Sequence, residues 1–392
     1  MTTSVIISGA RTPIGRLLGA LSNFTAPELG GIAIRAALEK SGVAPESVDA
    51  VLFGNVIQAG VGPNAARQAS VAAGLGYGVP ATTINKLCLS GLTAIGQADQ
   101  MIRLGYYDVV VAGGCESMTN APHEVLGSRK GTKYGPGKFV DALDQDGLIC
   151  AFEGLSMGAA TERHQKEFGF TREMQDAFAA QSHERAANAT KNGALAEEIV
   201  PIMDRKGNLA LDIDEGVRPG TTTESLGGLR PAFDKEGTIT PGNASQLSDG
   251  AAAVVVMSKE KAQALGLSWI AEISSYGTVA GPDTSLINQP ANAINDALRR
   301  GGSLSVADLD LLEINEAFAG VALGSMQTLG VNSDRVNVNG GAIALGHPVG
   351  MSGARVVLTL ANELRRRGGG VGAAALCGGG GQGDALIIRV PA

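Results

Sequence analysis

The chain contains 392 residues, of which 44% are hydrophobic and 18% are charged. This balance allows a sizeable buried core and excludes an intrinsically disordered chain. The net charge of −7 at pH 7 argues against a nucleic-acid-binding protein, and no apolar run is long enough to span a membrane. Glycine is abundant, with 56 residues, but it follows no collagen-like period.

The predicted elements alternate along the whole chain between short β-branched runs and longer helical patterns. The predicted strands are 4–8, 50–53, 108–112, 251–257, 309–314, 372–376 and 385–390. The predicted helices are 27–41, 91–104, 290–300 and 352–367. This alternation predicts an α/β fold with buried sheets.

The cysteines and the chain ends give expectations about compartment. The four cysteines, at positions 88, 115, 150 and 377, form no Cys-x-x-Cys pair, so we expect neither a disulfide framework nor a metal site. The first residues lack the basic and then apolar pattern of a secretory signal, and the last residues are not a peroxisomal address. We therefore expect a reduced, cytoplasmic protein.

Shared spacings predict an internal repeat. Asn55 and Asn315 each lie 17 residues after the leucine of an Ala-Leu pair. Cys115 and Cys377 each lie 25 residues after the serine of a Ser-Gly pair that begins a predicted helix. Chance matching in a chain rich in Gly and Ala is the alternative, but we interpret the pattern as two copies of one α/β unit.

An insertion distinguishes the two copies. A predicted strand follows Cys377 within a few residues, whereas the strand that corresponds to it after Cys115 begins only near Asp249. Long insertions on a rigid scaffold often carry binding surfaces. We divide the chain into an N-terminal half of residues 1–118 plus 249–270, an inserted loop domain of residues 119–248, and a C-terminal half of residues 271–392.

Cys88 is the first candidate for chemistry. It lies between an apolar segment and a helical pattern, so the sequence places its thiol at a strand-to-helix turn near a helix N-terminus. The helix dipole at such a position favours the thiolate and is expected to lower the pKa of the thiol. A nucleophile and a buried, inert cysteine both remain open at this point.

His347 is the second candidate. It lies in the glycine-rich stretch 340–353, at a loop-to-helix junction where the backbone can approach a ligand closely. A catalytic histidine and a turn histidine bonded to the backbone both fit this position. The other three histidines, His123, His164 and His183, have charged or polar neighbours and are predicted to lie at the surface.

Cys377 opens a run of glycines. Gly378, Gly380 and Gly383 fit the GxGxxG spacing, but a strand pattern follows where a dinucleotide site requires a helix. The alternative is an anion-binding turn of backbone amides beside the thiol. Packing of the two copies about a pseudo-twofold axis would bring Cys88, His347 and Cys377 together. Two thiols and one imidazole suit covalent acyl transfer combined with proton transfer from carbon.

Several motifs together resemble the thiolase family. They are Asn85-x-x-Cys88-x-Ser-Gly, Asn315-Glu-Ala-Phe-Ala, Gly340-Gly-x-Ile-Ala-x-Gly-His347-Pro-x-Gly and Leu376-Cys377-Gly-Gly-Gly-Gly, with Gly113-Gly-Cys-Glu-Ser-Met and Gly242-Asn-Ala-Ser between them. The resemblance covers essentially the whole chain. It implies a five-layered αβαβα arrangement of two similar α/β halves, with a loop domain inserted in the first half.

The resemblance also implies roles for individual residues. Cys88 resembles the acylated nucleophile, and His347 resembles its activating base and a donor to the thioester oxygen. Cys377 resembles the acid and base that moves a proton at the α-carbon of the second acyl-CoA. Asn315 resembles the residue that holds a water in one oxyanion hole, and the amides of Cys88 and Gly379 resemble the other. Preorganised donors of this kind stabilise a developing enolate and a tetrahedral oxyanion.

Coenzyme A thioesters are the substrates that the family implies, with no metal and no bound cofactor. Arg218 matches the family's adenine-side contact and Ser245 its pantetheine contact, while Met157 and Phe318 match the lining of the acyl pocket. The run 128–138 is locally basic and includes Arg129, Lys130 and Lys133. This run is predicted either to bind the phosphates of coenzyme A or to be a solvated loop or an assembly contact.

The predicted activity is that of an acetyl-CoA C-acetyltransferase, acting by a ping-pong mechanism through an acyl-Cys88 intermediate. Departures from short-chain relatives at Ser156, at Gly378 and in the stretch 281–290 leave a longer-chain 3-ketoacyl-CoA thiolase as the alternative. A non-catalytic acyl-CoA-binding protein is a third possibility, which predicts loss of a catalytic position. Family habit implies a homo-oligomer, either a dimer or a dimer of dimers.

Overall fold

The computed structural model describes residues 2–131 and 133–392. The helices are α1 Ala26–Ser41, α2 Ala65–Ala72, α3 Ser90–Arg103, α4 Met157–Gln165, α5 Arg172–Lys191, α6 Thr223–Gly227, α7 Lys259–Ala264, α8 Gln289–Gly301, α9 Ala319–Leu329, α10 Ala342–Leu345 and α11 Ser352–Arg366. The long strands are β1 Ser4–Arg11, β3 Ala50–Gly54, β4 Ala81–Ile84, β5 Val109–Ser117, β12 Ser248–Ser258, β13 Ala271–Ala280, β14 Leu311–Ile314, β15 Gly370–Gly378 and β16 Gln382–Val390. The short strands are β2 Gly15–Arg16, β6 His123–Glu124, β7 Val140–Asp141, β8 Ile149–Cys150, β9 Leu155–Ser156, β10 Ile202–Met203 and β11 Leu209–Leu211.

The strand order repeats itself in the two halves. Within the described residues the long strands follow the order β14-β15-β16-β13-β1-β12-β5-β3-β4. The series β3-β5-β12-β1 of the first half has its counterpart in β14-β15-β16-β13 of the second. In each half the first pair is parallel and the following pairs are antiparallel. The halves meet where Val5 and Ile6 pair with Glu272 and Ala271, so the predicted repeat is present in three dimensions.

The helices complete five layers. α3 and α11 contact each other, and both contact strands from each half, so they form the central layer. α1 and α2 cover the outer face of the first half, while α8 covers the outer face of the second and α9 packs against it. This architecture is the αβαβα fold that the sequence predicts.

Sequence signals at both ends of the outer helix α1 explain where this helix begins and ends. Thr25 accepts a hydrogen bond from the Glu28 amide, and the Glu28 carboxylate accepts one from the Thr25 amide at 2.8 Å, which is a capping box. The helix ends at Gly42, whose φ of 67° lies in the left-handed region that glycine adopts readily. Its apolar side packs against β1 and β12.

The predicted helices and strands are all present, although several ends differ. Strands β4 and β13 were not predicted, and the sequence of β13, AEISSYGTVA, contains no continuous β-branched run. His183 also differs from the prediction. It is 3% exposed on α5, because this side of the helix faces the protein interior. None of the helices in the described residues is both long and apolar enough to cross a membrane.

The chain leaves the first half after β5 and returns to it at β12. The two strands are neighbours in the sheet, with Ser117 paired to Asp249, yet more than a hundred residues of chain connect them. This connection contains α4, α5, α6 and several short hairpins. The division into an inserted domain of residues 119–248 and two halves remains our proposal.

Candidate active site

The turn between β4 and α3 presents Cys88. Leu87, the preceding residue, has a φ of 53°, which is uncommon for a residue with a branched side chain. Asn85 Oδ1 accepts a hydrogen bond from the Leu87 amide at 3.1 Å. Ser90 closes the turn, because its Oγ accepts from the Lys86 amide at 2.9 Å and donates to the Leu87 carbonyl at 2.6 Å. The thiol is therefore held on a tight turn that local hydrogen bonds determine.

The electrostatics of Cys88 differ from the sequence-based expectation. Burial raises the pKa of the thiol to about 11, and the negative charge of Glu116 acts in the same direction. The amides of Cys88 and Gly379 stabilise the thiolate by hydrogen bonding, but they only partly oppose the effect of burial. The predicted lowering of the pKa is therefore wrong for the free protein, and Cys88 is a neutral thiol at pH 7.

His347 lies buried in the loop before α11. Its Nδ1 atom is 2.6 Å from Ser352 Oγ, which donates its own hydrogen to the Pro348 carbonyl oxygen at 2.9 Å. Because that hydroxyl has a single hydrogen, Nδ1 must carry the hydrogen of this contact and Nε2 keeps its lone pair. Burial, together with the charge of Arg355, lowers the pKa of His347 to about 3. The imidazole is thus neutral and free to accept a proton at Nε2.

Asn315 directly follows β14 and lies beside His347. Its amide donates to the Ala375 carbonyl at 3.0 Å, which fixes it next to β15. Its Nδ2 atom is 3.4 Å from His347 Nε2. Its Oδ1 atom is buried and has no hydrogen-bond partner in the structure. A buried acceptor of this kind is satisfied by an ordered water, which supports the water-holding role that we propose for Asn315.

Cys377 lies near the end of β15 and is 1% exposed. It packs in a cluster of apolar side chains that includes Leu286, Phe318 and Val321. Burial raises the pKa of the Cys377 thiol, and the nearby Cys88 raises it further. The two thiols are therefore close enough to interact, and both are neutral in the free protein.

At Gly379 the glycine loop after β15 packs against the turn that carries Cys88. A Cβ at this position would collide with Met157 Cε and would lie 2.7 Å from Leu87 Cδ1. A side chain at this position would require the side chains of Met157 and Leu87 to shift. The same packing places Met157, at the start of α4, against the loop that carries Cys377. The GxGxxG spacing thus forms a turn between β15 and β16 instead of opening a helix.

Two aromatic side chains pack against each other near the apolar cluster of Cys377. Phe318 is 8% exposed and meets Phe233 edge to face, with ring centroids 6.2 Å apart. Ser245 is half-buried beside them, and its amide donates to the Ala317 carbonyl at 3.0 Å. Phe233 was missed in the sequence, since it lies in an irregular Pro- and Gly-containing segment without periodicity.

The cationic residues proposed for coenzyme A lie at the surface. Arg218 is exposed, and its backbone amide donates to His183 Nδ1 at 3.2 Å. Arg129 and Lys130 belong to a 3₁₀ turn and are exposed, as is Lys133. Among the described residues these last three make no ion pair with an acidic side chain, and no hydrogen bond connects them to the Cys88 turn. The structure therefore brings together Cys88, His347, Cys377, Asn315 and Gly379, but not the basic run.

Two further residues were not singled out as site residues by sequence reasoning. Ser352 was noted only as a helix start in the internal repeat, although its spacing from His347 could have suggested a contact across one helical turn. Glu116 follows Cys115 and lies behind the Cys88 turn, fully buried. In residues 2–131 and 133–392 no group of three or more His, Cys, Asp and Glu side chains is arranged to hold a metal ion.

Two thiols, an imidazole and inward-facing amides, gathered between two similar α/β halves, are the features of a cysteine-dependent acyltransferase. Comparison with known protein families supports this assignment. The family model "Thiolase, N-terminal domain" matches residues 4–260, and "Thiolase, C-terminal domain" matches residues 267–390. The chain belongs to the thiolase family.

Relatives match the chain along its full length. It is 59% identical to a protein of Mycobacterium leprae named "Probable acetyl-CoA acetyltransferase", over 99% of this chain and 100% of the relative. It is 50% identical to "Acetyl-CoA acetyltransferase" of Cupriavidus necator, over 99% and 100% of the two chains. It is 46% identical to the protein of the same name in Escherichia coli, over 99% of each chain.

Proposed function

We propose that the protein is an acetyl-CoA C-acetyltransferase that reversibly condenses two acetyl-CoA molecules into acetoacetyl-CoA and free coenzyme A. The observation that carries this proposal is the meeting of two neutral thiols, Cys88 and Cys377, beside the neutral imidazole of His347. One thiol can hold an acyl group while the other moves a proton at carbon. The names of the full-length relatives support the same activity.

The first half-reaction transfers the acetyl group to Cys88. Nε2 of His347 accepts the Cys88 proton as sulfur attacks the thioester carbonyl, and the resulting oxyanion is bound by the amides of Cys88 and Gly379. The carbon–sulfur bond to coenzyme A then breaks, and the leaving thiolate takes the proton of Cys377. The enzyme is left with an acetyl thioester on Cys88, an imidazolium on His347 and a thiolate on Cys377.

The second half-reaction forms the carbon–carbon bond. The Cys377 thiolate removes a proton from the methyl carbon of a second acetyl-CoA, and the enolate oxygen is stabilised by the His347 imidazolium and a water held by Asn315. The carbanion attacks the acetyl carbonyl on Cys88, and the Cys88 thiolate leaves and takes the proton from His347. All three side chains return to their neutral states, which agrees with the raised thiol pKa values and the lowered imidazole pKa of the free protein.

We infer that the acyl group is small, as the names of the relatives indicate. Phe318, Leu286 and Val321 belong to the same apolar cluster as Cys377, and Met157 packs against the glycine loop, so apolar side chains surround this thiol. A steady-state comparison of thiolysis between acetoacetyl-CoA and longer 3-ketoacyl-CoA substrates tests this. We expect kcat/KM to be highest for acetoacetyl-CoA. Higher values for longer chains would favour the degradative 3-ketoacyl-CoA thiolase.

Coenzyme A binding and assembly are further parts of the proposal. We infer that Arg218, Ser245 and the basic run hold the coenzyme A moiety, whose phosphates need cationic partners in a protein of net charge −7. We also infer a homo-oligomer in the cytoplasm. The edge strand β4 and the exposed aromatic rings of Tyr134 and Phe139 support self-association, because both offer surfaces that a second copy could cover.

A further inference from the structure

Glu116 is a buried side chain that has no role in the proposed reaction steps. It is fully buried near the end of β5. Its carboxylate accepts hydrogen bonds from Asn55 Nδ2 at 2.9 Å and from the amides of Val56 at 3.0 Å, Ile57 at 3.2 Å and Gly350 at 3.0 Å. Every one of these partners is a donor, so a proton on either carboxylate oxygen would face an N–H group. Burial raises the pKa of Glu116 to about 8, and the hydrogen bonds from Val56, Ile57 and Gly350 act in the opposite direction by stabilising the charged form.

One of these bonds leads to the base. Gly350 lies three residues after His347 and two residues before Ser352, which contacts the imidazole. The segment is pressed into the first half, because a Cβ on Gly54 would lie 2.7 Å from the Gly350 carbonyl oxygen and one on Gly91 would lie 3.0 Å from it. Glu116 therefore anchors the loop that carries His347.

Another bond leads to the nucleophile. Val56 donates its main-chain N–H to Glu116, and its carbonyl oxygen accepts a hydrogen bond from Asn85 Nδ2 at 3.1 Å. Asn85 Oδ1 in turn accepts from the amide of Leu87, the residue of positive φ that precedes Cys88. A continuous chain of hydrogen bonds thus connects the same carboxylate to the Cys88 turn.

The internal repeat shows that the second half has no counterpart of this carboxylate. The spacings that relate the halves place Gly350 opposite Cys88 and Asn55 opposite Asn315, while Glu116 corresponds to Gly378. In the first half, the Gly350 amide and Asn55 Nδ2 hold the Glu116 carboxylate. In the second half Gly378 has no side chain, so no carboxylate corresponds to Glu116 beside the Cys88 amide and Asn315.

We propose that Glu116 is a positioning residue that fixes the Cys88 turn and the His347 loop relative to each other. The inference rests on the proposed function only for its effect on turnover. Its effect on the Cys88 thiol is measurable without any acyl-CoA substrate.

The test is Glu116→Gln, which keeps the shape of the side chain but replaces one acceptor with a donor that faces N–H groups. We expect kcat for acetoacetyl-CoA thiolysis to fall about tenfold or more, with KM changed less than about twofold, because misalignment of reacting groups affects the chemical step. Loss of the negative charge of Glu116 lowers the pKa of the Cys88 thiol, so a fall in kcat without a fall in the rate of Cys88 alkylation by iodoacetamide identifies misalignment and not loss of the thiolate. Mass spectrometry of the peptide that contains Cys88 distinguishes its alkylation from that of Cys115, Cys150 and Cys377.

Asp49→Asn is the matched control. The Asp49 carboxylate accepts from the amides of Asp108 and Val109, both at 2.8 Å, at the opposite end of the same strands. We expect this control to keep wild-type alkylation and turnover. An unchanged kcat in Glu116→Gln would overturn the inference, and so would equal losses of kcat in the two variants.

Asn85→Ala tests the same connection from the other end if Glu116→Gln does not fold. It removes the link between Val56 and Leu87 without removing a charge, and it loosens the turn whose amide stabilises the thiolate, so Cys88 alkylation is expected to slow about tenfold. A wild-type alkylation rate in Asn85→Ala would contradict the inference. Wild-type protein that is alkylated normally but does not cleave acetoacetyl-CoA would contradict the proposed function instead.

Discussion

The Oγ atom of Ser352 lies 2.6 Å from Nδ1 of His347, one helical turn away, and donates its own hydrogen to the Pro348 carbonyl. This contact selects the imidazole tautomer whose Nε2 atom can accept a proton. It also orients the ring, since the hydroxyl is held by the first turn of α11. The base of the proposed reaction is therefore oriented by a second, buried residue.

Ser352→Ala is expected to lower the rate of Cys88 acylation about ten- to a hundredfold, because a hydrogen bond to a group that becomes charged contributes about 1.5–3 kcal/mol. Stopped-flow measurement of coenzyme A release in a single turnover checks this rate. Ser352→Thr keeps the hydroxyl and is expected to remain close to wild type. Equal rates for the alanine and wild-type proteins would show that Ser352 does not orient the imidazole.

The pH dependence of Cys88 alkylation should follow from its raised pKa. Because the pKa of the thiol is about 11, the thiolate fraction and the iodoacetamide reaction rate should increase roughly tenfold per pH unit between pH 7 and 10. The pKa of His347 is about 3, so this residue adds no inflection in that range. A plateau of the rate near neutral pH would instead indicate a thiolate–imidazolium pair in the free enzyme.

Cys377→Ala separates the two half-reactions. This variant is expected to keep measurable acetylation of Cys88, although more slowly, because the leaving thiolate of coenzyme A can take a proton from water. It should lose carbon–carbon bond formation, since no group remains to remove the α-proton. Single-turnover acetylation and steady-state condensation, measured on one preparation, provide the test. Normal condensation by the variant would reduce Cys377 to a structural residue.

Neutralising the basic run tests the proposed coenzyme A contact. Replacing Arg129, Lys130 and Lys133 with glutamine should raise KM for acyl-CoA, flatten its salt dependence and leave kcat nearly unchanged, because salt screens such charges within about 10 Å at 0.1 M ionic strength. For substrates truncated to the pantetheine, wild type and variant should have the same KM. The measurement is a series of steady-state titrations at increasing salt.

Exposed lysines outside the run provide the control for this change in charge. Lys206 and Lys235 are both exposed, and their replacement with glutamine should leave KM and its salt dependence unchanged. An unchanged KM in the basic-run variant, combined with dissociation of the oligomer, would identify the run as an assembly contact.

Sequence reasoning predicted the fold and the main site candidates because their signals are local or repeated. Cys88 lies between an apolar segment and a helical pattern, Cys377 lies where a predicted strand ends in a run of glycines, and the repeat indicates that the two turns meet. The pKa of Cys88 could not be predicted in the same way, because the helix start is visible in the sequence but the burial of the thiol is not. His183 illustrates the same limit, since polar neighbours on a helix do not show which face is covered. Glu116 was missed because its partners come from distant parts of the chain.

Acetylation of Cys88 tests the central claim most directly. Wild-type protein and Cys88→Ala are mixed with acetyl-CoA in the absence of an acceptor, and intact mass is measured by mass spectrometry. The account predicts one acetyl group on the wild type, mapped to the peptide that contains Cys88, and none on the variant. Equal acetylation of both proteins would contradict the account, because the acyl group would then be carried by a residue other than Cys88.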